Sequence, residues 1–105
     1  MKFGLSELQL KEIVEFISRY SEVEEAVLFG SRAVGNYGRA SDVDVAIFGQ
    51  NVTNMLAQTI KLDVEEDTYL PYFFDIVAIS DKTDEKLKQQ VKKFGITLFK
   101  RINEQ

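Results

Sequence analysis

The feature that most constrains the fold is a pair of short apolar runs with a polar hairpin of sequence between them. Ala26-Val27-Leu28-Phe29 leads into Gly30-Ser31, and Asp42-Val43-Asp44 leads into Val45-Ala46-Ile47-Phe48. Four apolar residues closed by a Gly-Ser break read as a strand and a turn. The spacing predicts a first strand over 24–29, a short helical segment over 31–34 ending near Gly35, and a loop over 36–41. A second strand is expected over 42–48. In that strand Asp42, Asp44, Ala46 and Phe48 project to one side, and Val43, Val45 and Ile47 to the other. Both sides turn apolar after Asp44, so the strand is expected to be central and covered on both faces.

The remaining pattern supplies helices and more sheet. Ser6 and Gln9 have the spacing of a capping box, with Leu5 as a staple before it. Leu10, Ile13, Val14, Phe16, Ile17 and Tyr20 follow at helical spacing, so a helix is expected over 6–20, with Glu15 and Arg19 four apart on its outer side. A second long helix is expected over 53–64, capped by Asn51 or Thr53, with Met55, Leu56, Ile60 and Leu62 as its apolar positions and Glu65-Glu66-Asp67 as its end. Pro71 precedes a strand expected over 72–79, and Tyr69, Tyr72, Phe73 and Phe74 are expected in the core. The last helix begins near Ser80–Asp84 and carries Leu87, Val91 and Phe94 along one stripe, with Gly95 as a C′ residue. Lys82, Lys86, Lys88, Lys92 and Lys93 give it a basic, solvated face. Residues 96–102 read as an edge strand or a docked tail. One domain over 1–105 follows, an α/β fold of the α+β kind: a small mixed β-sheet of three or slightly more strands with helices packed on it.

Composition narrows the chemistry. The chain has no cysteine and no histidine, so proton transfer and metal binding fall to carboxylates, hydroxyls and lysines. Oxygen-rich sites favour hard cations such as Mg²⁺ or Mn²⁺. A formal net charge of −4 argues against duplex DNA as a partner. The first residues lack the apolar core of a signal peptide, and no run reaches membrane-spanning length, so the cytoplasm is the expected place.

The candidate site is acidic. Asp42 and Asp44 lie on one face about 7 Å apart along the strand. An Asp-x-Asp alone is commonly a solvated strand end. Asp75, however, interrupts the apolar run Tyr72–Ile79, and an Asp in such a run needs a partner. If the two strands are neighbours, three carboxylates could hold two cations about 3.5–4 Å apart. Gly30-Ser31 places backbone N–H groups and a hydroxyl where a phosphate can sit. The chain contains neither a Walker loop nor a Gly-x-Gly-x-x-Gly loop.

Gly30-Ser31, ten residues, Asp42-Val43-Asp44 and a later strand with Asp75 resemble the polymerase-beta-type nucleotidyltransferase superfamily. Gly-Ser-Arg-Ala-x-Gly with Ser-Asp-x-Asp most resembles its minimal nucleotidyltransferases, the MNT domains. Val34 departs from that pattern, since many relatives carry a second basic residue there. The resemblance implies that Gly30 and Ser31 hold the triphosphate of ATP or another NTP, with Arg32 and Arg39 as nearby positive charges. It implies that Asp42 and Asp44 bind Mg²⁺ (or Mn²⁺), and that Asp75 completes the metal site and helps deprotonate a hydroxyl acceptor. It also implies a small helical HEPN-type protein as partner, adenylylated on a tyrosine in an antitoxin role. A non-catalytic nucleotide-binding or partner-blocking module and a small-molecule nucleotidyltransferase are the alternatives. Acceptor, base, metal and oligomeric state, a homo-oligomer included, are left open.

Overall fold

A computed structural model describes residues 1–101 of the protein. Helix α1 (Glu7–Ser18) starts from the expected capping box: the Gln9 N–H donates to Ser6 Oγ (3.1 Å) and the Ser6 N–H to Gln9 Oε1 (3.0 Å). Such a cap contributes about 1 kcal/mol. The helix stops two residues short of Tyr20. The Glu15–Arg19 pair is not formed, and the Arg19 guanidinium lies instead over the Phe16 ring at 5.0 Å.

Strand β1 (Glu25–Phe29) passes directly into α2 (Gly30–Val34), and β2 is Val43–Phe48. Asp42 therefore precedes its strand rather than opening it. Helix α3 (Asn54–Asp67) is capped by Thr53, whose Oγ1 accepts from the Leu56 N–H (3.0 Å). Strand β3 is Phe74–Ala78, α4 is Glu85–Phe94 and β4 is Ile96–Lys100. Ile102, assigned to the last segment from sequence, lies outside the described residues.

The four strands form one mixed sheet in the order β3-β2-β1-β4. β1 pairs antiparallel with β2 and β4, whereas β2 and β3 run parallel. A parallel pair needs a crossover, and α3 supplies it. One face carries Ala26, Leu28, Val43, Val45, Ile47, Phe74 and Ile76, packed with Ile13, Phe16 and Ile17 of α1 and Ala57, Ile60 and Val64 of α3. The other face carries Val27, Phe29 and Ala46 with Phe48 and Val77, and α4 packs on it through Val91 and Leu87. β2 is thus central and sandwiched, as its doubly apolar pattern requires.

Several expectations are corrected. In α3 the buried positions are Ala57, Ile60 and Val64, while Met55 and Leu62 face solvent. The helix also runs through Glu65–Asp67. Glu65 is tied in, accepting from Lys61 Nζ and from the Phe74 N–H, both at 2.7 Å, so the acidic run continues the helix instead of ending it. Tyr69 and Phe73 are exposed rather than in the core, because β3 begins only at Phe74 and the residues before it belong to a loop. Gly95 takes extended backbone (φ −68°, ψ 149°) rather than a left-handed cap, and leads straight into β4. No helix among the described residues is long and apolar enough to cross a membrane.

Candidate functional site

The site is built where β1 ends and β2 begins. Phe29 is opposite Asp44 in the antiparallel ladder, and Asp44 is opposite Asp75 in the parallel one. Phe29, Asp44 and Asp75 therefore make one row across the sheet, pointing to the α4 side. Asp42, two residues before Asp44, belongs to the same side. The Val43 N–H donates to the Phe73 carbonyl (2.9 Å), which carries the β2–β3 ladder past the carboxylates and secures the segment next to Asp42.

Gly30 starts α2 with φ +74°, a conformation that side-chain-bearing residues rarely adopt. A Cβ built there would stand 2.2 Å from Asp44 Oδ2, so the turn backbone lies directly against that carboxylate. The helix is five residues long and is closed by Gly35, which is left-handed at φ 82° with its N–H on the Ser31 carbonyl. Gly30 and Ser31 thus present the first N–H groups of a helical turn and one hydroxyl beside Asp44.

The electrostatics single out Asp44. Burial, then the charge of Asp75, then that of Asp42 push its carboxyl up to about 6, and Arg32 opposes them. Asp44 is the inner carboxylate, while Asp42 and Asp75 stand on the exposed rim. Among the described residues no three His, Cys, Asp or Glu side chains are drawn together closely enough to form a finished metal cage. Asp44 and Asp75 are neighbours across the β2–β3 ladder, and the charges of Asp75 and Asp42 both act on Asp44. Carboxylate oxygens are the donors that a hard divalent cation takes, and a +2 charge beside Asp44 would relieve the repulsion that raises its carboxyl.

Arg32 departs from its expected place. It is 1% exposed, and each of its three nitrogens donates one hydrogen bond inside the protein. Nε and Nη2 donate to the Ser41 carbonyl (3.2 and 2.7 Å) and Nη1 to the Phe3 carbonyl (2.9 Å). The Tyr37 and Tyr72 rings flank the guanidinium at 5.5 and 4.7 Å. Expected from sequence as a triphosphate ligand, it lies in the core of the loop instead, because residues distant in the chain supply carbonyls and ring faces that enclose it. Arg39 remains exposed. Val34, where a second basic residue was looked for, is half exposed and apolar. Sequence reasoning missed Phe3 and Tyr72 as parts of this region, and took Ser41 only as the first residue of Ser-Asp-x-Asp. Only Ser41, as the neighbour of Asp42, carried any signal.

Comparison with known proteins bears on the family and the fold. The polymerase beta nucleotidyltransferase family model matches residues 11–104. No curated protein sequence matches the chain. Among solved structures, a toxin–antitoxin with AMP-PNP is 22% identical, with 88% of this chain and 73% of that chain covered and a TM-score of 0.74. An MNT antitoxin in complex with tri-AMPylated Shewanella oneidensis HEPN toxin is 19% identical, with 92% and 74% covered and a TM-score of 0.69. At those identities the likeness shows a shared fold. A Sulfolobus solfataricus protein assigned as a nucleotidyltransferase is 27% identical, with 90% and 80% covered and a TM-score of 0.54. With the family's match running over nearly the whole chain, and the strand–turn–strand frame that carries its acidic residues present in the fold, this protein belongs to the polymerase beta nucleotidyltransferase family.

Proposed function

We propose that the protein transfers a nucleoside monophosphate, AMP by preference, from an NTP to a hydroxyl on a small helical HEPN-type protein. The observation that carries this reading is the in-register pair Asp44 and Asp75 on neighbouring parallel strands, with Asp42 on the same face and the Gly30-Ser31 turn against Asp44. Gly30 and Ser31 donate to the oxygens of the triphosphate. Asp42, Asp44 and Asp75 hold Mg²⁺ or Mn²⁺, which when bound neutralises charge on the phosphate oxygens. Asp75 accepts the proton of the incoming hydroxyl. The hydroxyl oxygen bonds to the α-phosphorus as the bond to the bridging oxygen of pyrophosphate breaks. Phosphoryl transfer of this kind depends on positioning and charge stabilisation, and it asks nothing of the histidine and cysteine that the chain lacks.

Two observations support a protein acceptor. Phe73, whose carbonyl anchors the strand beside Asp42, is 72% exposed, and an apolar ring at the rim of a polar site suits a protein surface. Proteins of this fold have also been solved with a tri-AMPylated HEPN toxin and with AMP-PNP. The test is to incubate the protein, ATP and Mg²⁺ with the HEPN-type protein encoded beside it, and to read intact masses. The expected result is AMP on that protein, reduced at least about 100-fold by Asp75→Asn. An unmodified partner, or AMP appearing only on a free small molecule, would contradict the protein acceptor.

A further inference from the structure

We propose that Arg32 is a positioning residue: it fastens the carboxylate loop to the phosphate turn and so sets where Asp42 stands. The inference rests on the reading of Asp42, Asp44 and Asp75 as the cation ligands.

Arg32 follows Ser31 directly, and its fork grips the carbonyl of Ser41, the residue directly before Asp42. One side chain therefore joins the two halves of the site across the end of α2 and the loop that follows it. The same guanidinium reaches the Phe3 carbonyl from its other nitrogen. Phe3 has φ 59° in a tight turn that the paired Lys2 and Leu5 backbone hydrogen bonds close (3.0 and 2.8 Å), so its carbonyl is held in place to accept. The loop has its own closure as well, with the Gly38 N–H on Ser41 Oγ (2.8 Å) and the Ser41 N–H on the Gly38 carbonyl (3.2 Å). Arg32 fixes that closed loop to the sheet.

The chemistry favours arginine for this task. A charge that is 1% exposed is costly unless every donor is used and the ion is compensated. Among the described residues Arg32 has no carboxylate within ion-pair distance, and its compensation comes from two carbonyls and two aromatic faces. A planar fork satisfies two bonds to one carbonyl with its central carbon 5.5 and 4.7 Å from the centres of the Tyr37 and Tyr72 rings. A lysine ammonium has neither the fork nor the plane.

The experiment measures Mn²⁺ binding without nucleotide, by water-proton relaxation, for wild type, Arg32→Lys, Tyr72→Leu and Asp44→Asn, with thermal unfolding of each. For Arg32→Lys the expected result is a Mn²⁺ affinity lowered about 10-fold or more in protein that remains folded, as for the loss of a group that orients a ligand. In transfer assays kcat falls while KM for the acceptor stays unchanged. Tyr72→Leu keeps the fork and removes one ring face, so it weakens Mn²⁺ binding by a smaller factor. It carries the test alone if Arg32→Lys does not fold. Unchanged Mn²⁺ affinity in both folded variants, with only the unfolding temperature lowered, would overturn the proposal and leave Arg32 a stability residue. Unchanged Mn²⁺ affinity with weakened ATP binding would overturn it in favour of direct triphosphate contact. If wild type shows no saturable Mn²⁺ binding that Asp44→Asn abolishes, the assignment of the cation ligands fails, and the proposal with it. If wild type binds and Arg32→Lys binds equally well, the positioning role alone fails.

Discussion

Asp44→Asn is expected to lower nucleotidyl transfer by about 10³-fold or more, in line with the loss of a group that stabilises charge in the transition state, while making the metal-free protein harder to melt. The two effects share one cause. Burial, Asp75 and Asp42 raise the Asp44 carboxyl to about 6 from an ordinary value of 3.8. The folded chain thus holds that proton more tightly than the unfolded chain does. The contribution of this one group to stability is fullest below pH 4, falls as pH rises from about 4 to about 6, and stays reduced above that. Asparagine carries no charge and removes the penalty. Because Asp44 is only partly buried and water screens part of the repulsion, the gain at pH 8 is on the order of 1 kcal/mol. In a domain of this size that corresponds to a Tm higher by about 4–8 °C. Thermal scans with a chelator at pH 8 and pH 4 check it: the variant should lead at pH 8 and lose its advantage at pH 4. A lower Tm at pH 8 would mean that Asp44 is a stabilising carboxylate and not a strained one. By the same titration, Mn²⁺ binding to the metal-free wild type should weaken as pH falls through about 6, since the cation must then displace a proton from Asp44.

Gly30→Ala is the second large effect. The new Cβ would stand 2.2 Å from Asp44 Oδ2 in a backbone at φ +74°, so either the turn or the carboxylate must move. Left-handed strain alone costs about 1–2 kcal/mol. Gly35→Ala is the matched control, with a similar φ of +82° but nothing within 4 Å of its Cβ. Both variants should lose stability in thermal unfolding, Gly30→Ala the more because its Cβ also meets Asp44. Only Gly30→Ala should also lose transfer, by about 100-fold, since a displacement of about 1 Å at a positioned group has that effect. Equal activity in the two variants would mean that the contact between the turn and Asp44 has no part in the chemistry.

How much of this was legible in the sequence depends on the range of the interaction. Gly30, Ser31, Asp42 and Asp44 could be read directly, because a strand's period of two and a Gly-Ser break are local facts. Asp75 was visible as an oddity in an apolar run. Its partnership with Asp44 required β2 and β3 to be neighbours in parallel register, which only the assembled sheet decides. Arg32 shows the opposite failure. Its place beside Gly30-Ser31 suggested a phosphate ligand, but its burial is decided by Phe3 and Tyr72, 29 residues before it and 40 after it in the chain. Tyr69 and Phe73 were assigned to the core on hydrophobicity alone. Where β3 starts leaves them outside, and no periodicity in so short a segment marks that start.

The central claim is that the carboxylates and the turn act together on the α-phosphorus. It is tested most directly by running parallel reactions with ATP labelled at the α- or the γ-phosphate and following both labels in acceptor and product. The expected outcome is α-label on the acceptor hydroxyl and γ-label in released pyrophosphate, with both signals lost in Asp44→Asn. Appearance of γ-label on the acceptor, or of α-label transfer that Asp44→Asn leaves intact, would contradict it.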